Sequence, residues 1–251
     1  MNKAEPLPPF KKISIIDEAK NNYGAHLLSI NPGGVDETVF QSSCFYYEAE
    51  LLPLIPDNKS LSILDVGSGL GHLLRYLLAN GYQNIGGIEI DLQLYNESKK
   101  YIGEKIKFLI NDDALHYLSN NIEIFDVISL FDVIEHFSLE DAYDLLCKIH
   151  DSLRPDGIAI FRTPNMANIL GAYSRYMDIT HQSGFTEQSL TQLIRQAGYS
   201  QIKVHIPKWN KNNPLSVKFK ESSDFQKKIY QMQDRAMPTT FDKNLVIWAK
   251  K

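Results

Sequence analysis

The sequence is poor in cysteine, in unbroken apolar runs and in excess positive charge, and each shortage removes a class of protein. Two cysteines occur in 251 residues, Cys44 and Cys147, far apart and with no C-x-x-C pair. That pattern builds neither a disulfide framework nor a zinc knuckle, and a reducing cytosol suits it. No stretch approaches the roughly 18 apolar residues of a membrane span. The opening MNKAEPLPPFKK has prolines and charges but no apolar run, so it is not expected to be a secretory leader. Lys and Arg number 26 against 30 Asp and Glu, a net charge of −4. Nucleic-acid binding through a broadly basic face is therefore not expected. No internal repeat is visible at a period of about 20–50 residues.

What is there is the composition of a globular chain, 43% hydrophobic and 22% charged, long enough to bury a core without a staple. Residues 1–12 read as a loose arm and Asn31-Pro32-Gly33-Gly34 as a turn. QSSCFYYEAELLPLI reads as a helix capped by Ser42 or Ser43, with Tyr46, Ala49, Leu51 and Leu52 as its apolar members. From Ser60 the grammar changes. Short apolar runs (SLSILDVG, NIGGIEI, KIKFLI, IFDVISLFDVI, IAIFRT) alternate with helical segments (LGHLLRYLLANG, LQLYNESKKYIG, ALHYLSN, SLEDAYDLLCKIHDSL). Ser138 fits the N-cap of the last of these helices, with acids in its first turn. Pro155-Asp156-Gly157 marks a turn. An irregular stretch over 164–184 precedes the helix TEQSLTQLIRQAGY and a strand from Gln201 to Ile206. A polar stretch over 208–242, with a helix near 221–235, separates that strand from a last one, Asn244 to Ala249.

This alternation predicts βαβ units and a parallel sheet, joined by right-handed crossovers. Ligands are then expected beyond the carboxyl ends of the strands. The closing strand–insertion–strand predicts an antiparallel hairpin at the sheet edge. The expected organisation is an arm and helical cap over 1–59, then one domain over 60–251 with insertions at about 164–184 and 208–242.

Chemistry concentrates in Leu64-Asp65-Val66-Gly67-Ser68-Gly69-Leu70-Gly71, between a strand and a helix. Glycines there allow a tight turn and close approach of the backbone to a ligand. The dinucleotide fingerprint G-x-G-x-x-G is incomplete, because His72 stands at its third glycine. Asp65 would also set a carboxylate near a pyrophosphate, which is unfavourable. A ligand bearing positive charge suits it, as S-adenosylmethionine does with its ammonium and sulfonium. Glu89, ending the second strand, can accept two ribose hydroxyls, a feature that nicotinamide sites share. Asp112-Asp113-Ala114 follows the third strand, where an acid can accept from an adenine amino group.

With LDVGSGLG, GGIEID, NDDA, FDVISLFDVIEHF and LRPDGIAIFRTPN in that order, the sequence resembles the class I S-adenosylmethionine-dependent methyltransferases over about residues 60–200 and the closing strands. The resemblance implies an α/β, Rossmann-like seven-stranded sheet in the order 3-2-1-4-5-7-6, strand seven antiparallel, with helices on both faces. It implies that Asp65, Gly67, Ser68 and Gly69 line the methionine portion of the cofactor and that Glu89 holds its ribose. Asp113, ahead of Asp112, would meet adenine, with Ala114 packed near it. Leu130 and Phe131 would flank the cofactor, with His136 nearby. Gly71 and Ile90 complete the cofactor-binding set. S-adenosylhomocysteine would be the product.

The acceptor side starts from Asp178-Ile179-Thr180-His181. His181 is the candidate general base for a hydroxyl, a histidine's ordinary pKa being near neutral, and Asp178 is placed to orient it. The stretch from TPN through D-x-T-H to A-G-Y resembles bacterial methyltransferases of surface-polysaccharide and small-molecule pathways. That implies O-methylation of a saccharide or nucleotide-linked precursor. Tyr23, His26, Tyr46, Tyr47, Tyr173, Tyr176, Lys208, Trp209, Lys211 and Lys218 mark the margins of an acceptor pocket, with Arg162 and Arg175 as grips for an anionic acceptor. No metal is expected, since position 137 is Phe where relatives that bind one at Asp132-Val133-Ile134-Glu135-His136 have a second histidine. A divalent ion there, with His181 as substitute, stays open as the alternative. The expected partner is a small-molecule or saccharide acceptor, and the expected location the cytoplasm. Rival readings are N- or C-methylation of another metabolite and a non-catalytic partner subunit that keeps the fold.

Overall fold

Seven short segments with alternating inward side chains build one sheet: β1 (Ile63–Val66), β2 (Ile85–Glu89), β3 (Phe108–Asn111), β4 (Phe125–Phe131), β5 (Leu153–Pro164), β6 (Gln201–His205) and β7 (Asn244–Lys250). In the computed structural model, which describes residues 14–30, 34–210 and 212–251, their order is β3-β2-β1-β4-β5-β7-β6. The first five run parallel, and β7 runs antiparallel to β5 and β6. This is the sheet that the sequence predicts. The expected arm over 1–12, Asn31 to Gly33 of the expected turn, and Lys211 lie outside the described residues.

The period of two along each strand divides the core. Leu64, Val66, Ile88, Ile128, Leu130, Ala159, Phe161 and Leu245 are buried on one face, with Leu145, Leu146 and Ile149 of α7 (Leu139–Ser152) and Leu190 and Ile194 of α9 (Glu187–Gln196). Ile63, Ile85, Val127, Ile158, Ile160 and Val246 are buried on the other, with Leu73, Leu74 and Leu77 of α4 (His72–Ala79) and Phe40 and Tyr47 of α3 (Glu37–Glu50). Each fully buried aliphatic or aromatic side chain contributes about 1.5–3 kcal/mol, which sets the register of every strand. The helices begin where their caps dictate. Ser138 accepts from the Asp141 amide at the start of α7, as expected, and Thr186 and Ser189 form a capping box on α9.

Three boundaries differ from the sequence reading. The third helix starts at Glu37, not at Ser42 or Ser43, because the Ser43 hydroxyl is satisfied inside the helix by the Val39 carbonyl at 3.0 Å. The late helix is α10 (Pro214–Met232), begun by Asn213, which accepts from the Leu215 amide, and by Pro214 at the first turn. Pro155-Asp156-Gly157 falls inside β5, with Asp156 at φ +66°.

Two short helices, α1 (Ile15–Asn21) and α2 (Tyr23–Ile30), lie over the carboxyl ends of the strands. The Gly24 amide donates to Asp91 just after β2 at 2.8 Å, and the Tyr23 ring meets His136, beyond β4, at 5.3 Å. The two insertions are tied together behind the site: buried Gln226 accepts from the Ile169 amide at 2.8 Å, and the Tyr230 hydroxyl donates to the Ala167 carbonyl at 2.9 Å. α5 (Leu92–Ile102), α6 (Ala114–Ser119) and α8 (Gly171–Tyr176) complete the described α-helices. None of the described helices is long and apolar enough to cross a membrane.

Gly71 marks the join between the β1 loop and the core. It sits at φ +79°, and a Cβ there would press into Ile102 Cδ1 and lie 2.5 Å from Ser98 Oγ. Gly71→Ala adds left-handed strain to overpacking and is expected to cost about 2–4 kcal/mol. Thermal or denaturant unfolding checks this; a loss below about 0.5 kcal/mol would contradict the packing described.

Candidate active site

The loop after β1 is fixed by main-chain bonds. The Gly67 and Ser68 amides both donate to the Ile88 carbonyl at 2.9 Å, which draws the loop to the end of β2. The Gly69 amide can then donate to Glu89 Oε2 and the Asp91 amide to Glu89 Oε1, both at 2.8 Å. Burial raises the Glu89 pKa, while these two amides oppose the rise. Each carboxylate oxygen keeps a further lone pair for a ligand hydroxyl.

Asp65 lies two strands away from the free edge, on the same sheet face as Glu89. It is 3% exposed, and its Oδ1 accepts from the Ser129 hydroxyl at 2.7 Å. Burial pushes its carboxyl up to about 7, against the pull of Ser129 and Arg162. A buried acid with no ion pair among the described residues favours a cationic ligand. Beside it, the buried Ser68 hydroxyl has no hydrogen-bond partner, and a Cβ built on Gly69 would meet nothing within 4 Å. An unpaired hydroxyl, a glycine against open space and two buried carboxylates fit an ammonium and a ribose diol.

The other expected cofactor residues fall unevenly. Ile90 is 66% exposed next to Glu89, apolar cover for a flat ring. Asp113 caps α6 by accepting from the His116 amide at 3.0 Å, with Ala114 as the first helical residue. Asp112 accepts from the Asp113 amide and pairs with His116 Nδ1, both at 2.8 Å. The pair Leu130–Phe131 is split by the alternation of β4. Phe131 lies on the face of Asp65 and Glu89, whereas Leu130 is fully buried on the opposite face, so its side chain flanks nothing outside the core. His72 is a fastener for the cap, its Nε2 bonded to the Gly34 carbonyl at 3.0 Å.

On the acceptor side His136 and His181 come together, rings 4.7 Å apart and nearly perpendicular. The expected partner of Asp178 is corrected. Asp178 Oδ1 accepts from the Thr180 hydroxyl at 2.7 Å, and Thr180 Oγ1 bonds His136 Nδ1 at 2.8 Å, so Asp178 orients His136 through Thr180. His181 is held by the Ser174 carbonyl, 2.9 Å from its Nδ1. Burial pushes the His136 pKa down to about 4, and His181 adds to that. Burial and Asp132 push Glu135 up to about 8; its Oε2 accepts from Thr163 at 3.0 Å. Burial, then the acids Asp178, Glu135, Asp132 and Glu89, raise the Tyr23 pKa.

The two anion grips are spent elsewhere. Arg162 donates to both oxygens of Asp132 and to buried Glu50 at 3.1 Å, and Arg175 donates to the Gln182 carbonyl at 2.7 Å. Tyr47 is buried, Tyr46 stands beside Trp209 with ring centres 5.8 Å apart, and His26, Tyr173, Tyr176, Lys208 and Lys218 are exposed. The sequence reading did not assign Thr180, Ser129 or Glu50. Thr180 stood inside D-x-T-H, but nothing in the sequence paired Glu50 with Arg162.

Adjacent parallel strands β1 and β2, each carrying a buried acid at its carboxyl end (Asp65 and Glu89) across a glycine loop, define a nucleotide-type site of the class I methyltransferases. The family model for the methyltransferase domain matches residues 41–204, and the chain belongs to that family. It is a methyltransferase that depends on S-adenosylmethionine. It is 23% identical to an uncharacterized methyltransferase of Oceanobacillus iheyensis over 72% of this chain and 81% of that one. It is 30% identical to the ubiquinone biosynthesis O-methyltransferase of Rickettsia conorii over 49% of this chain and 43% of the relative. The fold is shared with Haemonchus contortus phosphoethanolamine N-methyltransferase 2 in complex with S-adenosyl-L-methionine, at TM-score 0.56 and 16% identity, over 80% of this chain and 51% of that chain. The chain thus spans about half or less of the two relatives whose acceptors are named.

The Asp65 carboxyl gives cofactor affinity a pH dependence with a definite sign. The ammonium favours the ionised acid, so binding of S-adenosylhomocysteine strengthens as pH rises through about 7 and levels off above it. Calorimetric titration at pH 6 and pH 8 should give several-fold tighter binding at the higher pH, and Asp65→Asn should remove both the dependence and at least about tenfold of the affinity. Equal affinities at the two pH values would contradict it.

Proposed function

We propose that the protein O-methylates a small or saccharide acceptor through an uncharged hydroxyl, with His181 as general base. The paired imidazoles carry this reading. Their Nδ1 atoms are tied to Ser174 and Thr180, which leaves the Nε2 lone pair of His181 to take a hydroxyl proton. S-adenosylmethionine, when bound, supplies an electrophilic methyl group. Asp65, Ser68, Gly69 and Glu89 would bind and orient it, with Gly67 and Gly71 shaping the loop and Ile90, Phe131, Asp113 and Ala114 bounding its nucleoside. The Tyr23 ring and the α1–α2 cap would exclude water while Asp178 and Thr180 hold His136 beside the acceptor. A nucleotide-linked acceptor would have to bind by its sugar, because Arg162 and Arg175 are committed to other partners. A polysaccharide-precursor role and a cytoplasmic site of action belong to the same proposal.

A second reading, N-methylation, is favoured by the acids Asp178 and Glu135 near Tyr23, which would attract an amine. The base separates the two. His181→Ala should leave affinity for S-adenosylhomocysteine within about twofold and lower turnover of a hydroxyl acceptor by about 10²–10⁴-fold. The assay is S-adenosylhomocysteine release across a panel of nucleotide sugars, free sugars, phenols and amines. Unchanged turnover in the variant would remove His181 from the chemistry, and turnover of amines alone would favour the second reading.

A further inference from the structure

We propose that Glu50 is a specificity-determining residue for the methyl donor: with Asp132 it makes the surroundings of buried Arg162 net negative, and so favours the sulfonium of S-adenosylmethionine over the neutral sulfur of S-adenosylhomocysteine. The strand register puts these charges beside the cofactor face. Asp65 of β1 pairs with Ser129 of β4 and Ser129 with Ile160 of β5, and one row further Phe131 pairs with Arg162. Alternation along each strand then sets Asp65, Ser129, Phe131 and Arg162 on one face of the sheet. The Arg162 guanidinium lies over the Phe131 ring, 4.6 Å from its centre. The sulfur of the cofactor joins the methionine portion to the ribose, so it falls between Asp65 and Glu89 on that same face. This placement rests on the cofactor site assigned above.

A lone guanidinium behind this face would repel a sulfonium. Two carboxylates answer it. Glu50 is fully buried as the last residue of α3, a helix outside the sheet. Its Oε2 accepts from Arg162 at 3.1 Å and its Oε1 from the side chain of Asn244, at the start of β7, at 3.0 Å. Burial raises the Glu50 pKa, while Arg162 and Asn244 oppose the rise. Asp132 accepts from the same guanidinium through both of its oxygens. Two carboxylates on one guanidinium leave one negative charge in excess. The donor and the product differ at sulfur by one positive charge. When the methyl group passes to the acceptor, the pair of electrons in its bond to sulfur stays on sulfur, and the sulfonium becomes a neutral thioether. An excess of negative charge near that sulfur therefore holds the donor more tightly than the product. Glu50 touches no reacting atom in this account; it acts through Arg162.

The test is calorimetric titration of the full chain with S-adenosylmethionine and, separately, with S-adenosylhomocysteine, at one pH and without acceptor. The readout is the ratio of the two affinities. Damage to shape alone weakens both ligands alike and leaves the ratio where it was. Glu50→Gln, which keeps the shape and removes the charge, should shift the ratio against S-adenosylmethionine by about threefold or more. If that variant does not fold, Asp132→Asn, on a half-exposed side chain, removes the other carboxylate from the same guanidinium and should shift the ratio the same way. Glu50→Gln combined with Arg162→Gln removes one charge of each sign and should hold the ratio within about twofold of the wild type. An unchanged ratio in folded Glu50→Gln, or a ratio that stays shifted in the double variant, would overturn the inference. Asp65→Asn tests the cofactor placement by itself: unchanged affinity for both ligands would overturn that placement, while the ratio in Glu50→Gln still decides the role of Glu50.

Discussion

Two carboxylates buried at the ends of adjacent parallel strands are the constraint on which the rest of this structure depends. Taking Asp65 and Glu89 out of water is costly unless something compensates. For Glu89 the compensation is internal, the amides of Gly69 and Asp91 at 2.8 Å, and the first of these bonds ties the glycine loop to the end of β2. For Asp65 it is only one hydroxyl, from Ser129. The asymmetry leaves one acid satisfied and one in need of a positive ligand. The difference separates this site from a dinucleotide site, where an uncompensated anion would face a pyrophosphate.

The acceptor side obeys the same rule with other groups. Arg162 neutralises Glu50 and Asp132 and is used up in doing so. The remaining acids, Glu135 and Asp178, face histidines, and Asp178 reaches its histidine through Thr180. The cap meets both rims, by Gly24 at Asp91 and by Tyr23 at His136. One short helical segment, α2, thus touches both the end of β2 and the histidine pair beyond β4.

The sheet was legible because burial imposes period two on strands and a 3.6-residue period on helices, and the segments from Ser60 onward follow both cleanly. The glycine loop, Asp65 and Glu89 were legible because their spacing is local. What the sequence did not yield depends on contacts across long separations. Glu50 meets Arg162 over 112 residues, and His136 meets Thr180 over 44. Leu130 and Phe131 are neighbours on a strand and point to opposite faces, so only the Phe131 side chain shares the face of Asp65 and Glu89. The start of α3 was hidden because a serine bonded to the preceding turn resembles a cap in sequence.

The central claim is that the loop after β1 receives S-adenosylmethionine and not a dinucleotide. The most direct measurement is calorimetric titration of the protein with S-adenosylhomocysteine, with NADH as the parallel control. Micromolar binding of the first and none of the second is the predicted result. NADH binding, or no binding of S-adenosylhomocysteine, would contradict the reading of Asp65 and of the site built around it.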